Sequence, residues 1–588
     1  MQNRCGITLP TKPLSKSYLH GASCHPLETL TLAEALENTA VKYPQKEAMI
    51  YYSINKKKDV LVFEEWQSKS RKIGAALKKL GINRGDNVAI LAPNCNEFLI
   101  AAWGVLYIGA TVVCLSYELK SGEDIFNKLS ITKCRGLFIY NDNNPMTKQV
   151  LERLMNCDKG WYRYEYATPV VVTIGITFDG TKSYDQLLSI SKQADVDDVI
   201  KNMFKQNCED IAFIALTSGS TGAPKTVPIN HQSILNAYYF SCKLRGGMDE
   251  GSIFFNDGPF TWLGGLMLPV SVVRLGVTGV SIHTSATVSE RQTDFTLKCI
   301  KSERCTHIMA MAYLMYDIIK SDSEMKYSIT SLETIFIGGQ KVPINLVEGM
   351  RDVFKALTVV NLYGASEIGG AVVTTDICDP LVVDGRVTVG FPIPHAEVKL
   401  IDENGYIVPI NQPGEVCLRG HNWVSKAFQD EHGWFHTGDI GEMDSAGRLY
   451  IFGRCKDMIK RGTLSIVTGP LEQTLATNES IEGVYVVGVP DERLYEEICA
   501  CIEVKPGANL TAEDMRNWCD EVFTAEGTAD GKSMAPKYFV FVDSFPLRPN
   551  GKLDRIQLRA TAMKQLHLPY ISDGFAHRDS NSTGLKAE

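Results

Sequence analysis

The sequence predicts an α/β protein: a large N-terminal domain of α/β layers ending in a β-rich subdomain, then a small α+β C-terminal domain. Short apolar strand patterns alternate with helical periodicity over residues 31–216, the signature of layered α/β architecture. Between 398 and 449 the texture changes to short strands set off by Gly, Pro, Asp and Asn turns. After Arg454 a mixed strand and helix pattern resumes and lasts to about residue 568.

Residues 31–41 read as a helix, because Thr31 and Glu34 have capping-box spacing and Leu32, Ala35, Leu36 and Ala40 recur at helical intervals. A second helix is expected over 63–80, stopped at Gly81. Then come a strand at 87–91, a turn at Pro93-Asn94, a buried helix at 98–107 and a strand at 110–115. Strands recur at 136–140 and 170–174, and the polar stretch between them is expected at the surface. Residues 195–210 read as a polar helix or loop that leads into the apolar run 211–216. No solenoid-type repeat is visible.

A chain of 588 residues is too long for one hydrophobic core, and about two or three domains are expected. Hydrophobic residues at 44% and charged residues at 22% are the balance of a folded globular protein. The net charge of -8 argues against a nucleic-acid partner, which calls for a basic excess or stripe. Lys56-Lys57-Lys58 reads as a solvated turn. The longest apolar stretch, 264–280, is interrupted by Arg274, and none reaches the ~18 to 20 residues of a membrane span, so a soluble protein is expected. The sixteen cysteines are scattered, with no CxxC pair even around Cys499 and Cys501. That distribution points to reduced thiols inside the cell rather than a zinc site or disulfide framework. The segment 1–27 carries Arg4, Lys12 and Lys16 and no acid, and reads as a leader of transit-peptide character without the apolar core of a secretion signal. A polar, mobile tail is expected over 571–588.

The strongest local signal is Thr217-Ser218-Gly219-Ser220-Thr221-Gly222-Ala223-Pro224-Lys225, directly after the apolar run. Glycines let backbone N–H groups face an anion, hydroxyls add donors and Lys225 adds charge, which is what a polyphosphate requires. It is not the usual P-loop, because Gly-Lys-Ser/Thr is absent and proline precedes Lys225.

This segment resembles the phosphate loop of the acyl-adenylate-forming superfamily, which includes acyl-CoA synthetases, peptide-synthetase adenylation domains and firefly-type luciferases. Further segments resemble it in the expected order across residues 30–568. In Asn361-Leu362-Tyr363-Gly364-Ala365-Ser366-Glu367, the resemblance implies that Tyr363 stacks on adenine and Asn361 reads its edge. It also places Ser366 near the α-phosphate and Glu367 on Mg²⁺. In Trp434-Phe435-His436-Thr437-Gly438-Asp439, Asp439 would accept hydrogen bonds from both ribose hydroxyls, and His436 reads as an oriented structural histidine. In Gly453-Arg454-Cys455-Lys456-Asp457, Arg454 would lie near the ribose and Lys456 would be the hinge. In Pro546-Leu547-Arg548-Pro549-Asn550-Gly551-Lys552, Lys552 would reach the reacting carboxylate and α-phosphate. Gly338 and Gly339 fall where the family backbone flanks adenine, although an ordinary glycine turn reads equally well.

The resemblance implies an adenylation domain over 28–453, a hinge at 454–457 and a mobile lid domain over 458–570. It implies an enzyme that uses ATP, Mg²⁺ and CoA and takes a carboxylic acid as substrate. Ser17-Tyr18-Leu19-His20-Gly21 and the stretches 487–493 and 496–501 resemble the medium-chain fatty acid CoA ligases of this superfamily. A fatty acid and the mitochondrial matrix follow, with the cytoplasm as the alternative. The residues leave open an adenylate passed to another acceptor, or a degenerate nucleotide-binding protein. The joint presence of Glu367, Asp439, Arg454 and Lys552 favours the enzyme.

Three departures from the family pattern stand out. Thr226 follows Lys225 in place of glycine. Trp262 falls where many members have histidine, and its indole is expected to shorten or reshape the acyl pocket. Gly462-Thr463 replaces a Gly-Gly pair, so Thr463 is expected to narrow the thiol route by its β-branched side chain. An insert at 524–532 also departs from the pattern.

Overall fold

The computed structural model describes residues 3–4, 6–53, 55–117, 122–155, 170–218, 224–283, 293–354, 357–420, 426–461, 464–491, 493–523, 534–548 and 552–568. The chain divides into two compact units, Met1–Thr437 with Gly441–Ile451, and Gly438–Ile440 with Phe452–Glu588. Among the described residues no helix is long and apolar enough to cross a membrane.

In the larger unit, helix Leu32–Lys42 starts on the expected capping box. Glu34 N–H donates to Thr31 Oγ1 at 3.2 Å, and Thr31 N–H donates to the Glu34 carboxylate at 2.7 Å. Leu32 N–H donates to Nδ1 of the buried His231 at 3.1 Å, which ties this helix to helix His231–Tyr238. Helices Phe63–Lys79 and Asn96–Tyr107 pack without clearance: a Cβ on Gly74 would meet the Gly104 carbonyl oxygen at 2.9 Å. Trp66 and Trp103 meet edge to face across that contact, 4.7 Å apart.

Two large sheets carry the functional ends of the chain. The seven-stranded sheet runs in the order Lys182–Ser183, Val170–Gly175, Cys134–Asn141, Asn87–Leu91, Thr111–Cys114, Ile211–Ser218, Pro224–Asn230. It is parallel except for its last pair, in which Thr217 stands opposite Lys225. The nine-stranded sheet has a parallel centre that includes His307–Ala310, Thr334–Gly338 and Thr358–Ala365, and antiparallel edges. Buried central strands read as continuous apolar runs for this reason, as in Thr334–Gly338, where every residue is buried.

One sequence expectation changes. The polar stretch after residue 140 contains helix Pro145–Met155, which buries Thr147, Val150, Leu151 and Leu154 on one face; residues 156–169 lie outside the described set. Within residues 1–27, expected as a leader, lies a short paired strand. Tyr18–His20 pairs antiparallel with Ala396–Ile401, with Leu19 opposite Val398, and Tyr18 Oη donates to Glu397 at 2.6 Å. The expected β-rich stretch is present: Ala396–Ile401 also pairs with Gly414–Gly420 in a five-stranded sheet. The tail from residue 569, the phosphate-loop tip 219–223, Gly462, Thr463 and the insert 524–532 lie outside the described residues.

The smaller unit has its own five-stranded sheet centred on Tyr495–Val504, which pairs with the edge strand Ile481–Asp491 in a long hairpin, with Ile459–Arg461 antiparallel to it and with Tyr538–Phe541 parallel to it. Helices Thr468–Leu475, Ala512–Val522 and Arg555–Gln565 complete it. Gly469 is required there, because a Cβ would meet the Phe452 carbonyl oxygen at 2.0 Å. Cys499 and Cys501 project from one face of their strand and are fully buried. Their mutual hydrogen bond, and then burial, push the Cys499 thiol far above its ordinary value, so Cys499 is an inert packing group.

His231 makes the larger unit sensitive to acid. Burial pushes its imidazole down to about 4 from the ordinary 6.5. The unfolded chain therefore takes up the proton first, and stability present above about pH 6.5 is lost as pH falls toward 4. We expect this group to remove up to about 3 kcal/mol over that window. His231→Asn keeps an acceptor for Leu32 N–H, so its urea midpoint should fall less steeply with pH than the wild type; equal slopes would refute the assignment.

Candidate active site

The carboxyl end of a parallel sheet is where open α/β folds bind ligands, and the larger unit gathers its predicted residues there. Strand Thr334–Gly338 ends on the glycine pair. A Cβ on Gly338 would meet the carbonyl oxygen of Leu362, its partner in the next strand, at 2.4 Å, and Gly339 has φ +79°. Both glycines are thus demanded by backbone geometry. In the neighbouring strand Thr358–Ala365, Asn361 is buried; its N–H donates to Thr375 Oγ1 at 2.8 Å and its Nδ2 to Thr388 O at 3.0 Å. One amide N–H expected to face adenine is therefore spent on holding the end of this strand. Tyr363 is partly buried against the main core.

Beyond Tyr363 the chain reverses. A Cβ on Gly364 would lie 1.9 Å from Gly370 O, so the two strands of the reversal touch backbone to backbone. Ser366 and Glu367 occupy the short 3₁₀ turn Ser366–Ile368 between them, with both side chains partly exposed. This turn packs against strand Pro224–Asn230, which carries the exposed Lys225. The described backbone of Thr217 and Ser218 pairs with Lys225 and Pro224. Glu367 offers the hard oxygen donor that Mg²⁺ takes alongside substrate phosphates.

The Trp262 segment is held beside this reversal. Asn94 Nδ2 donates to Gly258 O at 2.9 Å while its Oδ1 accepts from Phe260 N–H at 2.8 Å. Trp262 N–H donates to Pro259 O at 2.9 Å, and Trp262 begins helix Leu263–Leu275. A Cβ on Gly370 would stand 3.8 Å from Leu263 Cδ2. The indole, partly exposed, is thus on the loop that adjoins the Ser366–Gly370 reversal.

In the smaller unit, the two residues expected at the ribose meet each other. Arg454 Nε lies 2.7 Å from Asp439 Oδ1, the carboxylate 13% exposed and the guanidinium 52%. Lys456 is exposed in the 3₁₀ turn Cys455–Asp457, and Asp457 lies 3.6 Å from Arg555. Lys552 is exposed, and its carbonyl accepts from Arg548 N–H at 2.7 Å, which closes the loop after Pro546. No local signal connects His436 with Glu415 and Cys417, which the structure brings beside it.

Residues 36–427 match the AMP-binding enzyme family, and residues 470–552 match the AMP-binding enzyme C-terminal domain. The chain belongs to the AMP-binding enzymes. The superfamily expected from the motifs is therefore the right one. This AMP-binding enzyme is 28% identical to the mitochondrial medium-chain acyl-CoA ligase ACSF2 of Danio rerio over 607 aligned residues, covering 96% of this chain and 95% of the relative. Among solved structures it shares the fold of the anthranilate CoA ligase AuaEII in complex with anthranoyl-AMP (TM-score 0.72, 21% identity, 92% of this chain and 99% of that one). It also shares that of the amide bond synthetase McbA from Marinactinospora thermotolerans (TM-score 0.74, 23% identity, 90% and 99%).

The reversal after Tyr363 generates a test. Gly364→Ala must push Gly370 away and displace the Ser366–Ile368 turn. A shift of about 1 Å at a reacting centre costs up to about 100-fold in rate. We expect ATP–pyrophosphate exchange to fall by that order while circular dichroism stays native. Undiminished exchange would show that the turn does not position the site.

Proposed function

We propose that this enzyme joins a medium-chain fatty acid to AMP with release of pyrophosphate, then passes the acyl group to the CoA thiol with release of AMP. The observation that supports this most is the packing of the turn that carries Ser366 and Glu367, at a sheet's carboxyl end, against the strand that carries Lys225. The name of the Danio rerio relative supports the acid, the thiol acceptor and a mitochondrial location; the absence of acids before Glu28 agrees with that location.

A carboxylate is a poor acyl donor because its leaving group would be oxide. Attack of a carboxylate oxygen on the α-phosphorus breaks the bond to pyrophosphate and creates a mixed anhydride whose leaving group is AMP. Lys225, with Thr217, Ser218, Gly219, Ser220, Thr221 and Gly222, would hold the charge of the departing pyrophosphate. Gly338, Gly339 and Tyr363 would flank adenine, with Asn361 fixing the strand end that carries Tyr363. Ser366 would donate to the α-phosphate. Glu367 would hold Mg²⁺, which supplies positive charge to phosphate oxygens. Asp439 would accept from the ribose hydroxyls and Arg454 would lie close by. Lys552 would neutralise charge as the phosphoryl group moves between oxygens. Lys456, solvated on its turn, suits a hinge because it needs no fixed partner. In the second step the CoA sulfur bonds to the acyl carbon, the bond to AMP breaks, and the thiol proton goes to solvent.

Pyrophosphate release over a panel of carboxylic acids, with and without CoA, tests the proposal. Medium-chain fatty acids should give release, and CoA should convert the adenylate to thioester; no release with any acid would overturn it. Lys552→Ala should lower adenylation by about 100- to 1,000-fold, the usual scale for losing one transition-state charge contact, with ATP binding retained. Unchanged release would remove Lys552 from the chemistry.

Trp262→Gly should shift preference toward longer or bulkier acids, because removing an indole opens apolar volume. An unchanged acid profile would place Trp262 away from the acyl pocket.

A further inference from the structure

One side-chain cluster in the larger unit takes no part in this chemistry. Glu415 and Cys417 stand two residues apart on strand Gly414–Gly420 and so face the same side of the sheet. His436, near the start of strand Phe435–Met443, projects toward both: its Nδ1 is 3.2 Å from Glu415 Oε2 and 3.6 Å from Cys417 Sγ. Among the described residues this is the one group of three or more such side chains whose ligand atoms all lie within 4.8 Å of one another.

We propose that Glu415, Cys417 and His436 bind Zn²⁺ through a carboxylate oxygen, a thiolate sulfur and Nδ1, with water in the fourth position. A tetrahedral zinc with ordinary bond lengths needs about 3.4 Å between nitrogen and oxygen ligands and about 3.6 Å between nitrogen and sulfur. The two separations centred on His436 already meet that requirement. Thiolate and imidazole together select zinc over the hard dications, which take oxygen. Thiolate and carboxylate also balance its charge.

The surroundings are those of a built site. Asp430 Oδ2 lies 3.3 Å from His436 Nε2, so the ring can keep its proton on Nε2 and present Nδ1 to the metal, the arrangement that orients most histidine ligands. Asp430 is itself fixed, since its other oxygen accepts from His432 N–H at 2.9 Å and Trp434 N–H at 2.8 Å. Cys417 is buried with Ile401 and Trp434 in a small apolar cluster, which gives the sulfur a dry floor. The His436 side chain is 43% exposed and leaves the outer side open to water. The cation opposite Cys417 in register, Lys399, is drawn over the Trp434 ring, 4.4 Å from its centroid. Binding replaces the Cys417 S–H bond by S–Zn and releases one proton to buffer.

The test is calorimetric titration of Zn²⁺ into the full chain, chelator-treated and reduced, in two buffers of different ionisation enthalpy. Co²⁺ replaces Zn²⁺ in a parallel titration read by thiolate-to-metal absorption. We expect one tight equivalent with proton release and a raised melting temperature. That equivalent should be lost in Cys417→Ala and His436→Gln, and weakened about 10- to 100-fold in the positioning variant Asp430→Asn. His436→Gln alters a partly exposed side chain, so it decides the matter even if Cys417→Ala misfolds. Binding that persists undiminished in His436→Gln, or no tight equivalent in the wild type, would overturn the site.

Discussion

The turn that carries Ser366 and Glu367 can lie against the Lys225 strand because the chain reverses there with no side chains between its two arms. Gly364 and Gly370 bring their backbones together at a distance that any Cβ would forbid, and Gly338 lets the preceding strand reach the same level beside Leu362. Each glycine costs conformational entropy on folding. That cost is offset by the parallel strands on the core side, all buried in Thr334–Gly338. The site thus inherits its precision from backbone contact, which admits little play, rather than from long side chains, which admit much.

In the smaller unit the governing interaction is weaker by design of its surroundings. The Arg454–Asp439 pair has a half-exposed guanidinium, and pairs of that kind contribute about 0 to 1 kcal/mol. A pair half open to water on one side separates at lower cost than a pair sealed from it. A buried pair would resist exchange, because separating it strands a charge. The same unit shows the opposite case in Glu472, which is buried and bonded to Arg555 at 2.9 Å and to Val486 N–H at 3.1 Å. The contrast separates an exchangeable contact from a structural one within one small domain.

Much of this was legible in the residues. The capping box at Thr31, the strands at 87–91 and 136–140, and the β-rich stretch from 398 follow from local periodicity, and local periodicity is a short-range property. The helix Pro145–Met155 was not legible, because its buried face holds only four residues among polar ones and reads as surface until the sheet it packs on is known. Tyr18–His20 was equally hidden: its partner strand is more than 370 residues away in sequence, and no local signal marks an edge strand that short.

By itself the sequence determined the superfamily of this protein. The glycine-rich loop before Lys225, the Ser366-Glu367 pair, Asp439 and Lys552 carry charges and donors that suit a nucleotide and a carboxylate, and their order along the chain, which needs no coordinates to be read, is what gives each its weight. Only the tertiary structure decided which of these groups meet. The Ser366–Ile368 turn lies on the Lys225 strand, one amide N–H of Asn361 bonds Thr388, and His436 stands beside Glu415 and Cys417. Such meetings depend on strand register and backbone clearance between segments distant in sequence, where a shift of one residue turns every side chain to the other face.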